Sequence, residues 1–266
     1  MKKIDPKVVQ EHFDWRSEDY SNLFNRRTRT GAAFNFQTRQ NLISEIAAGY
    51  GGRMLECASG TGEITLAALR NGSFQSATIN DFSPKMLEQT KKLLNEKTHV
   101  PVEFINKNVF DLGHDLAGNK FDFILCVGLL AHVGQLNQLM CELRKLVSDD
   151  GTILLQNTSL GHAGIKITKM LSEKRHIQKH GYAIRHYYHG QIAKAANEAS
   201  LHIQDEARFG INIPFFDRIG PGINYRIEKS LSKLGNRFGA ETIYTLKPTQ
   251  IHSDKSHSIT PARITA

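Results

Sequence analysis

The stretch Met54-Leu55-Glu56-Cys57-Ala58-Ser59-Gly60-Thr61-Gly62-Glu63 joins an apolar segment to an amphipathic one through a run of small residues. This pattern predicts a strand at 53–57, a tight turn, and a helix that begins near residue 63. The small side chains from position 58 to position 62 allow a ligand to approach the backbone closely. A turn that needs glycine for its geometry alone would have the same sequence, so both interpretations stay open.

Outward from this stretch, short apolar segments alternate with amphipathic ones. Further strands are predicted at 76–79, 102–106, 121–127, 152–156, 201–209 and 242–246. Helices are predicted between them, among them 84–96 and 136–146. The alternation indicates an α/β fold, a Rossmann-like, seven-stranded, mostly parallel sheet with helices on both faces.

The second predicted strand ends in an acidic residue, Asp81, within Asn80-Asp81-Phe82-Ser83-Pro84. A carboxylate at this place accepts hydrogen bonds from both hydroxyls of a ribose. Ser83 and Pro84 are good N-cap and first-turn residues, so Asp81 alone could equally serve to start the helix.

Together, two motifs resemble those of class I S-adenosylmethionine-dependent methyltransferases, at a separation that suits the family. They are Leu55-Glu56-Cys57-Ala58-Ser59-Gly60-Thr61-Gly62 and Asp81-Phe82-Ser83-Pro84-Lys85-Met86-Leu87. The resemblance covers residues 31–160 well and the last two strands more loosely. It implies S-adenosyl-L-methionine as the cofactor and methyl transfer as the reaction.

The resemblance assigns residues to the methionine end of the cofactor. Glu56 would stand below the methionine amine, with the backbone of Ala58, Gly60 and Gly62 along the cofactor. Val127, at the end of the fourth strand, is a further candidate at this end.

The resemblance likewise assigns residues to the adenosine end. Asp81 would hold the ribose, and Phe82 and Met86 would flank the adenine. Asn108 stands where many relatives have an Asp that contacts the adenine, and Val109 follows it. An Asn carbonyl can also accept from the adenine amino group. Asp111 is the rival assignment for that contact.

Catalytic candidates come from two loops. The resemblance places the loop after the fourth strand beside both methionine and acceptor, and His132 in it is a candidate base because an unperturbed imidazole takes up a proton near neutral pH. A histidine that only packs the loop would have the same sequence. Tyr187 and His189, in segment 181–190, are further candidates. The same segment could equally be a connector whose polar side chains lie in solvent.

Several classes of methyltransferase are disfavoured by missing motifs. No Asn/Asp-Pro-Pro-Tyr/Phe tetrapeptide follows the fourth strand, where Cys126-Val127-Gly128-Leu129 stands, and Cys126 lacks the Pro neighbour expected of a cytosine nucleophile. Catechol-type enzymes carry metal-binding Asp or Asn groups where this chain has Val127-Gly128 and Asn157-Thr158. The sequence therefore predicts no metal.

Charge divides the chain into two parts. The chain has a net charge of +8, and residues 161–266 hold 16 Lys and Arg against 8 Asp and Glu, which accounts for all of it. Because these residues follow the fifth strand, the excess charge lies on the acceptor side and favours a small anionic acceptor. Nucleic acid is a weaker expectation, since the basic residues are dispersed and no aromatic RNA-binding signature accompanies them.

The three cysteines are too few and too scattered for a disulfide framework, which favours a cytoplasmic location. The longest apolar run, 123–131, is about half of a bilayer span, so no membrane insertion is expected. The oligomeric state stays open.

The resemblance divides the 266 residues into four parts. Residues 1–50 would be a helical cover, 51–160 the S-adenosylmethionine-binding core, 161–248 an acceptor-side insertion with the last two strands of the same domain, and 249–266 a loose tail. The expected function is metal-independent, in-line methyl transfer to an oxygen or nitrogen of a small metabolite. The alternatives are an RNA or protein methyltransferase that uses the basic C-terminal region, or a cofactor-binding protein without activity.

Overall fold

The stretch around Glu56 forms a strand, a turn and a helix at the centre of the sheet. The structure is a computed structural model that describes residues 4–23, 29–212 and 220–250. The strands are β1 (Gly51–Glu56), β2 (Ser73–Asn80), β3 (Val102–Ile105), β4 (Phe121–Cys126), β5 (Val147–Thr158), β6 (Leu201–Phe209) and β7 (Glu241–Pro248).

Helices precede the first strand and connect the others. They are α1 (Pro6–Arg16), α2 (Tyr20–Leu23), α3 (Gly31–Ala47), α4 (Glu63–Asn71), α5 (Pro84–Lys97), α6 (Leu112–Asp115), α7 (Leu136–Leu146), α8 (Ala163–His180), α9 (His189–Glu198), α10 (Pro221–Ser230) and α11 (Ser232–Phe238). Among the described residues, no helix is long and apolar enough to cross a bilayer.

The strand order in the sheet is β3-β2-β1-β4-β5-β7-β6. Strand β1 pairs in parallel with β2 and with β4, whereas β7 pairs antiparallel with β5 and β6. This confirms the predicted seven-stranded, mostly parallel sheet. The strand order reverses between β1 and β4, which is the place where open α/β sheets bind ligands at the carboxyl ends of their strands.

The core lies on both faces of the sheet. Along β4, Phe123 and Leu125 pack into one apolar cluster, and Ile124 and Cys126 pack into the other. Successive side chains of a strand point to opposite faces, so burial of both sets accounts for the continuous apolar run in this segment.

The largest difference from the sequence-based expectation lies after β5. The segment 161–189, which shows weak periodicity, forms the 18-residue helix α8 and a connector to α9. The sequence of α8 lacks the usual amphipathic pattern, because polar side chains such as His176 and His180 are partly covered whereas Met170 and Leu171 are exposed. The tail expected at 249–266 lies almost wholly outside the described residues.

Candidate functional site

A cavity of about 870 Å³ opens at the carboxyl ends of the central strands. The loops that follow β1, β2, β3 and β4 form it together with α1, and this volume includes space open to solvent. Its lining includes Gln10, Phe13, Tyr20, Cys57, Ala58, Gly60, Asn80, Asp81, Phe82, Met86, Asn108, Val109, Gly128, Leu129 and His132. The cavity therefore brings together most of the residues that the motifs single out.

The loop after β1 is held in place by its neighbours. The Ser59 N–H donates to the Asn80 carbonyl at 3.0 Å, and the Thr90 hydroxyl donates to the Gly60 carbonyl at 2.8 Å. Gly62 begins α4 with a φ of 90°, and a Cβ there would lie 3.1 Å from Thr90 Cγ2. Gly62 thus shapes the turn without lining the cavity.

Glu56, at the end of β1, is a buried carboxylate with one oxygen unused. Its Oε2 accepts from the Thr65 hydroxyl at 3.2 Å, and its Oε1 has no hydrogen-bond partner. Burial raises the pKa of Glu56 well above its usual range. A buried carboxylate oxygen without a donor suits a cationic ligand group, because such polar atoms are normally satisfied. Glu56 lies immediately before the lining residues Cys57 and Ala58.

Asp81 lines the cavity where β2 ends. Its Oδ2 accepts from the Gly60 N–H at 2.7 Å, and its Oδ1 accepts from the Ser83 N–H at 2.8 Å. Burial raises the pKa of Asp81 to about 6, in spite of these two hydrogen bonds. The side chain therefore does help to start α5, and each oxygen still has a lone pair for a ribose hydroxyl.

The end of the cavity to which the resemblance assigns the adenine is apolar with one amide. Met86 and Val109 are buried, and Phe82 is half-buried beside them. Asn108 lines the cavity, and its Oδ1 accepts from the Phe110 N–H at 3.1 Å. Asp111 is exposed and does not line the cavity, so its position favours Asn108 as the polar group at this end.

His132 also lines the cavity, in an environment that the sequence did not predict. Its Nδ1 is 3.0 Å from the Tyr182 hydroxyl, and its ring packs edge-on against Phe13 at 4.8 Å. Burial, followed by the charges of His12, His176 and His186, lowers the pKa of His132 to about 3. The expectation of an unperturbed imidazole is therefore wrong: the ring is neutral at physiological pH.

Tyr187 and His189 are not brought to the cavity. The Tyr187 hydroxyl donates to the Val133 carbonyl at 3.3 Å, and the Tyr187 backbone pairs with the Asn157 side chain. His189 lies at the start of α9, where its Nδ1 is 3.1 Å from Glu206 Oε2. The connector that carries them is fixed to the end of β5 and to β6, so neither side chain lines the cavity.

Val127 also does not lie where it was expected from the sequence. It is buried in the apolar cluster that contains Phe123 and Leu125, and it does not line the cavity. Gly128 and Leu129, which follow it, line the cavity in its place. The Gly128 N–H donates to Gln156 Oε1 at 3.0 Å, which ties the loop after β4 to β5.

Several residues of the site were not found from the sequence. Gln10 and Phe13 of α1 line the cavity, and Gln10 Nε2 donates to the Phe82 carbonyl at 3.1 Å. The buried Tyr182 contacts His132 from fifty positions along the chain. The only indication of these residues in the sequence was the presence of aromatic side chains in segments that carry no motif. The described residues hold no cluster of His, Cys, Asp or Glu arranged to bind a metal ion.

Comparison with known proteins gives one family and many structures. Residues 55–155 match the profile of the family described as "Methyltransferase domain". The matched segment begins in β1 and ends in β5, so it spans the strands whose loops form the cavity. No curated protein sequence matches the chain.

Solved structures share the fold at low sequence identity. Magnesium protoporphyrin IX methyltransferase from Synechocystis PCC 6803 with bound SAH is 15% identical over 91% of this chain and 99% of that chain, with a TM-score of 0.64. The 1,6-didemethyltoxoflavin-N1-methyltransferase of Burkholderia thailandensis is 15% identical over 92% and 89%, with a TM-score of 0.59. The [4+2]-cyclase SpnF is 17% identical over 82% of each chain, with a TM-score of 0.56.

Proposed function

We propose that this chain, whose residues 55–155 match a methyltransferase domain, is a class I S-adenosylmethionine-dependent methyltransferase that methylates an oxygen or nitrogen atom of a small, anionic metabolite without a metal ion. His132 is the candidate base. The observation that carries the proposal is that Gly60, Asp81 and His132 line one cavity.

The cofactor end of the cavity fits an adenosyl cofactor with an amino-acid tail. The unused Glu56 oxygen suits the methionine ammonium, the Asp81 carboxylate suits the ribose hydroxyls, and Phe82 and Met86 offer apolar contacts to the adenine. When bound, S-adenosyl-L-methionine supplies a methyl carbon activated by its sulfonium. The task of the chain is then to hold the acceptor atom in line with that carbon.

His132 would remove the acceptor proton as the methyl group moves. The neutral ring would take the proton from the acceptor oxygen or nitrogen and become an imidazolium. Burial lowers the pKa of this ring to about 3, so it is a weak base in the free site. So weak a base suits an acidic acceptor such as a phenol, an enol or a carboxylic acid.

The acceptor side of the molecule favours a negatively charged compound. The elements after β5 hold the excess of basic residues, with 16 Lys and Arg against 8 Asp and Glu in 161–266. A low-molecular-weight acceptor is supported by the enclosure of His132 between Phe13 and Tyr182. We place the enzyme in the cytoplasm, because Cys57, Cys126 and Cys141 are all free thiols.

The test combines binding with turnover. Calorimetric titration should detect S-adenosylhomocysteine bound to the wild type, and Asp81→Ala should weaken it. Labelled S-adenosylmethionine should then transfer its methyl group to members of a panel of phenolic and carboxylated acids. Failure to bind the cofactor would falsify the proposal. Transfer to bulk RNA or protein and to no small acid would assign the acceptor to the rival class.

A further inference from the structure

Helix α8 exposes its bulky apolar side chains to solvent. Ile167, Met170, Leu171 and Ile177 are 44%, 74%, 59% and 41% exposed. The side of α8 that packs on the protein includes the buried Gly164 and Ile165 near its start, and further along the partly covered His176 and His180. An ordinary surface helix has the opposite arrangement, with its apolar stripe toward the core.

Basic residues accompany these apolar side chains on the same helix. Lys166, Lys174, Arg175 and Lys179 are exposed, and Glu173 is the only acidic residue of α8. Within the described part of the chain, the one ion pair in α8 joins Lys169 to Glu173. The helix therefore combines positive charge with exposed aliphatic groups.

Helix α1, which carries an exposed tryptophan, packs against the C-terminal end of α8. The rings of His12 and His180 meet edge-on, with their centroids 4.5 Å apart. Trp15 follows His12 by three positions, on the same side of α1, and is 72% exposed. Exposed tryptophan is favoured at membrane–water interfaces, where its ring is half in and half out of the apolar phase.

Neighbouring helices at the same edge of the sheet have the same chemistry. Gly164 of α8 packs closely against the Asn212 backbone, and Glu228 of α10 accepts from the Ile211 and Asn212 N–H groups at 2.9 and 2.7 Å. The exposed basic residues of α10 and α11 are Arg226, Lys229, Lys233 and Arg237, and the exposed apolar ones are Ile223, Leu234 and Phe238. Arg226 and Lys229 line a shallow pocket with Arg29, suited in charge to a phosphate group.

We propose that the outer face of α8, formed by Ile167, Met170, Leu171, Ile177 and their basic neighbours together with Trp15, binds the surface of an anionic lipid bilayer. Aliphatic side chains beside Lys and Arg are the pattern of helices that lie in the plane of a membrane, where the apolar groups enter the acyl boundary and the cations contact phosphate headgroups. This adsorption requires no helix that spans the bilayer. It places the acceptor side of the enzyme at the membrane and does not depend on methyl transfer.

Two other partners fit the face less well. A second copy of the chain would bring two strongly basic faces together, because a symmetric contact pairs the same surface with itself. Nucleic acid would be attracted by the charge but gains nothing from Ile167, Met170 and Leu171, since single-stranded polymers are held by stacking on aromatic rings. Of these three partners, a lipid surface is the one that uses both the charge and the aliphatic groups.

Vesicle co-sedimentation of the full chain tests the proposal. The vesicles are phosphatidylcholine alone or phosphatidylcholine mixed with phosphatidylglycerol. The face variants are Lys174→Glu/Arg175→Glu and Met170→Ser/Leu171→Ser. The matched control is Lys92→Glu/Lys97→Glu on α5, which changes the net charge by the same amount at exposed positions. Titration with S-adenosylhomocysteine checks that every variant is folded.

We expect the wild type and the control to bind the mixed vesicles and not the neutral ones, and both face variants to lose at least roughly tenfold in partitioning. Trp15 is the only tryptophan, so its emission should shift to the blue on binding. Absence of binding, an equal loss in the control, or an unchanged Trp15 spectrum overturns the proposal. Polyuridylate binding as tight as vesicle binding, and unchanged in Met170→Ser/Leu171→Ser, would also overturn the proposal. So would a wild-type dimer that Met170→Ser/Leu171→Ser dissociates, if the wild type does not bind vesicles.

Discussion

Two buried carboxylates stand at the cofactor end of the cavity, and burial raises the pKa of both. The cause is the same for Glu56 and Asp81: each is removed from water, which penalises the charged form, and the hydrogen bonds each accepts offset only part of that penalty. A ligand with a cationic group and hydroxyl donors would supply what is missing. The two carboxylates whose burial is unfavourable in the free protein are therefore those on which the proposed cofactor contacts depend.

Asp81 gives a pH-dependent prediction. The ionised Asp81 accepts more and stronger hydrogen bonds from ribose hydroxyls than the protonated acid, so the affinity for S-adenosylhomocysteine should fall as the pH decreases through about 6, by up to tenfold per unit. Calorimetric titration across this range measures it. Asp81→Asn should bind weakly and lose this dependence, whereas Asp111→Asn should retain it. A wild-type affinity that is constant from neutral pH to well below 6 would contradict the assignment.

Asn108 gives a prediction about the adenine contact. Because Asn108 lines the cavity and Asp111 is exposed outside it, Asn108→Ala should weaken S-adenosylhomocysteine binding by roughly five- to tenfold, the equivalent of one hydrogen bond. Asp111→Ala should leave the affinity within experimental error. A larger loss in the Asp111 variant, measured in the same titration, would reverse the assignment.

His132 and Tyr182 give a kinetic prediction. His132→Gln should lower kcat by about 10²–10⁴ if the ring removes the acceptor proton. Tyr182→Phe removes the hydroxyl 3.0 Å from Nδ1, so it should lower kcat by a smaller factor and leave the KM for the cofactor unchanged. The exposed Tyr188→Phe is the matched control. Normal turnover in His132→Gln would exclude this residue as the base.

At the scale of single elements, the glycine loop depends on α5 as much as on its own sequence. Thr90, in the second turn of α5, donates to the Gly60 carbonyl and leaves no space for a side chain at Gly62. Asn80 fixes the adjacent strand ends, because its Nδ2 donates to the Cys57 carbonyl at 2.9 Å and its Oδ1 accepts from the Lys107 N–H at 3.0 Å. The loop is thus a rigid part of the sheet edge.

Gly62→Ala should destabilise the enzyme. The residue has a φ of 90°, and the new methyl group would press on Thr90, so two penalties combine. Gly118→Ala is the matched control, with a φ of 82° and open space around it. Urea unfolding should show a loss larger by about 1 kcal/mol or more for Gly62→Ala. Equal losses would mean that the contact with Thr90 is unimportant.

At the scale of the whole molecule, the cavity is closed by elements from distant parts of the chain. Helix α1 contributes Gln10 and Phe13, and the connector after α8 contributes Tyr182 behind His132. The loops after the central strands line the cavity together with α1, and Tyr182 contacts the lining residue His132. Ligand binding should therefore couple to the order of α1.

Hydrogen exchange checks this coupling. S-adenosylhomocysteine should slow exchange of the amides of Pro6–Arg16, because Gln10 and Phe13 line the cavity that the ligand fills. The amides of Ser232–Phe238 serve as the internal control, since α11 packs on β6 and does not line the cavity. Equal protection of both helices would indicate a global effect without a specific role for α1.

The sequence by itself determined the sheet and the cofactor end. Glycine turns, the acidic strand end at Asp81 and apolar strands buried on both faces are local patterns, and local patterns are visible in the chain. Asp81 and Asn108 line the cavity, because Asp81 directly follows β2, Asn108 lies in the loop after β3, and the carboxyl ends of parallel strands meet at one edge.

Only the tertiary structure decided the acceptor end. Nothing in the sequence distinguishes His132, Tyr187 and His189 as candidates. His132 differs from the other two because Phe13 of α1 and Tyr182 enclose its ring, and these contacts join residues some fifty or more positions apart. The low pKa of His132 has the same origin, because burial is a property of packing. The outward apolar face of α8 could not be predicted from the sequence either. A periodic pattern indicates that apolar residues share one side of a helix, but it does not indicate which side packs against the protein.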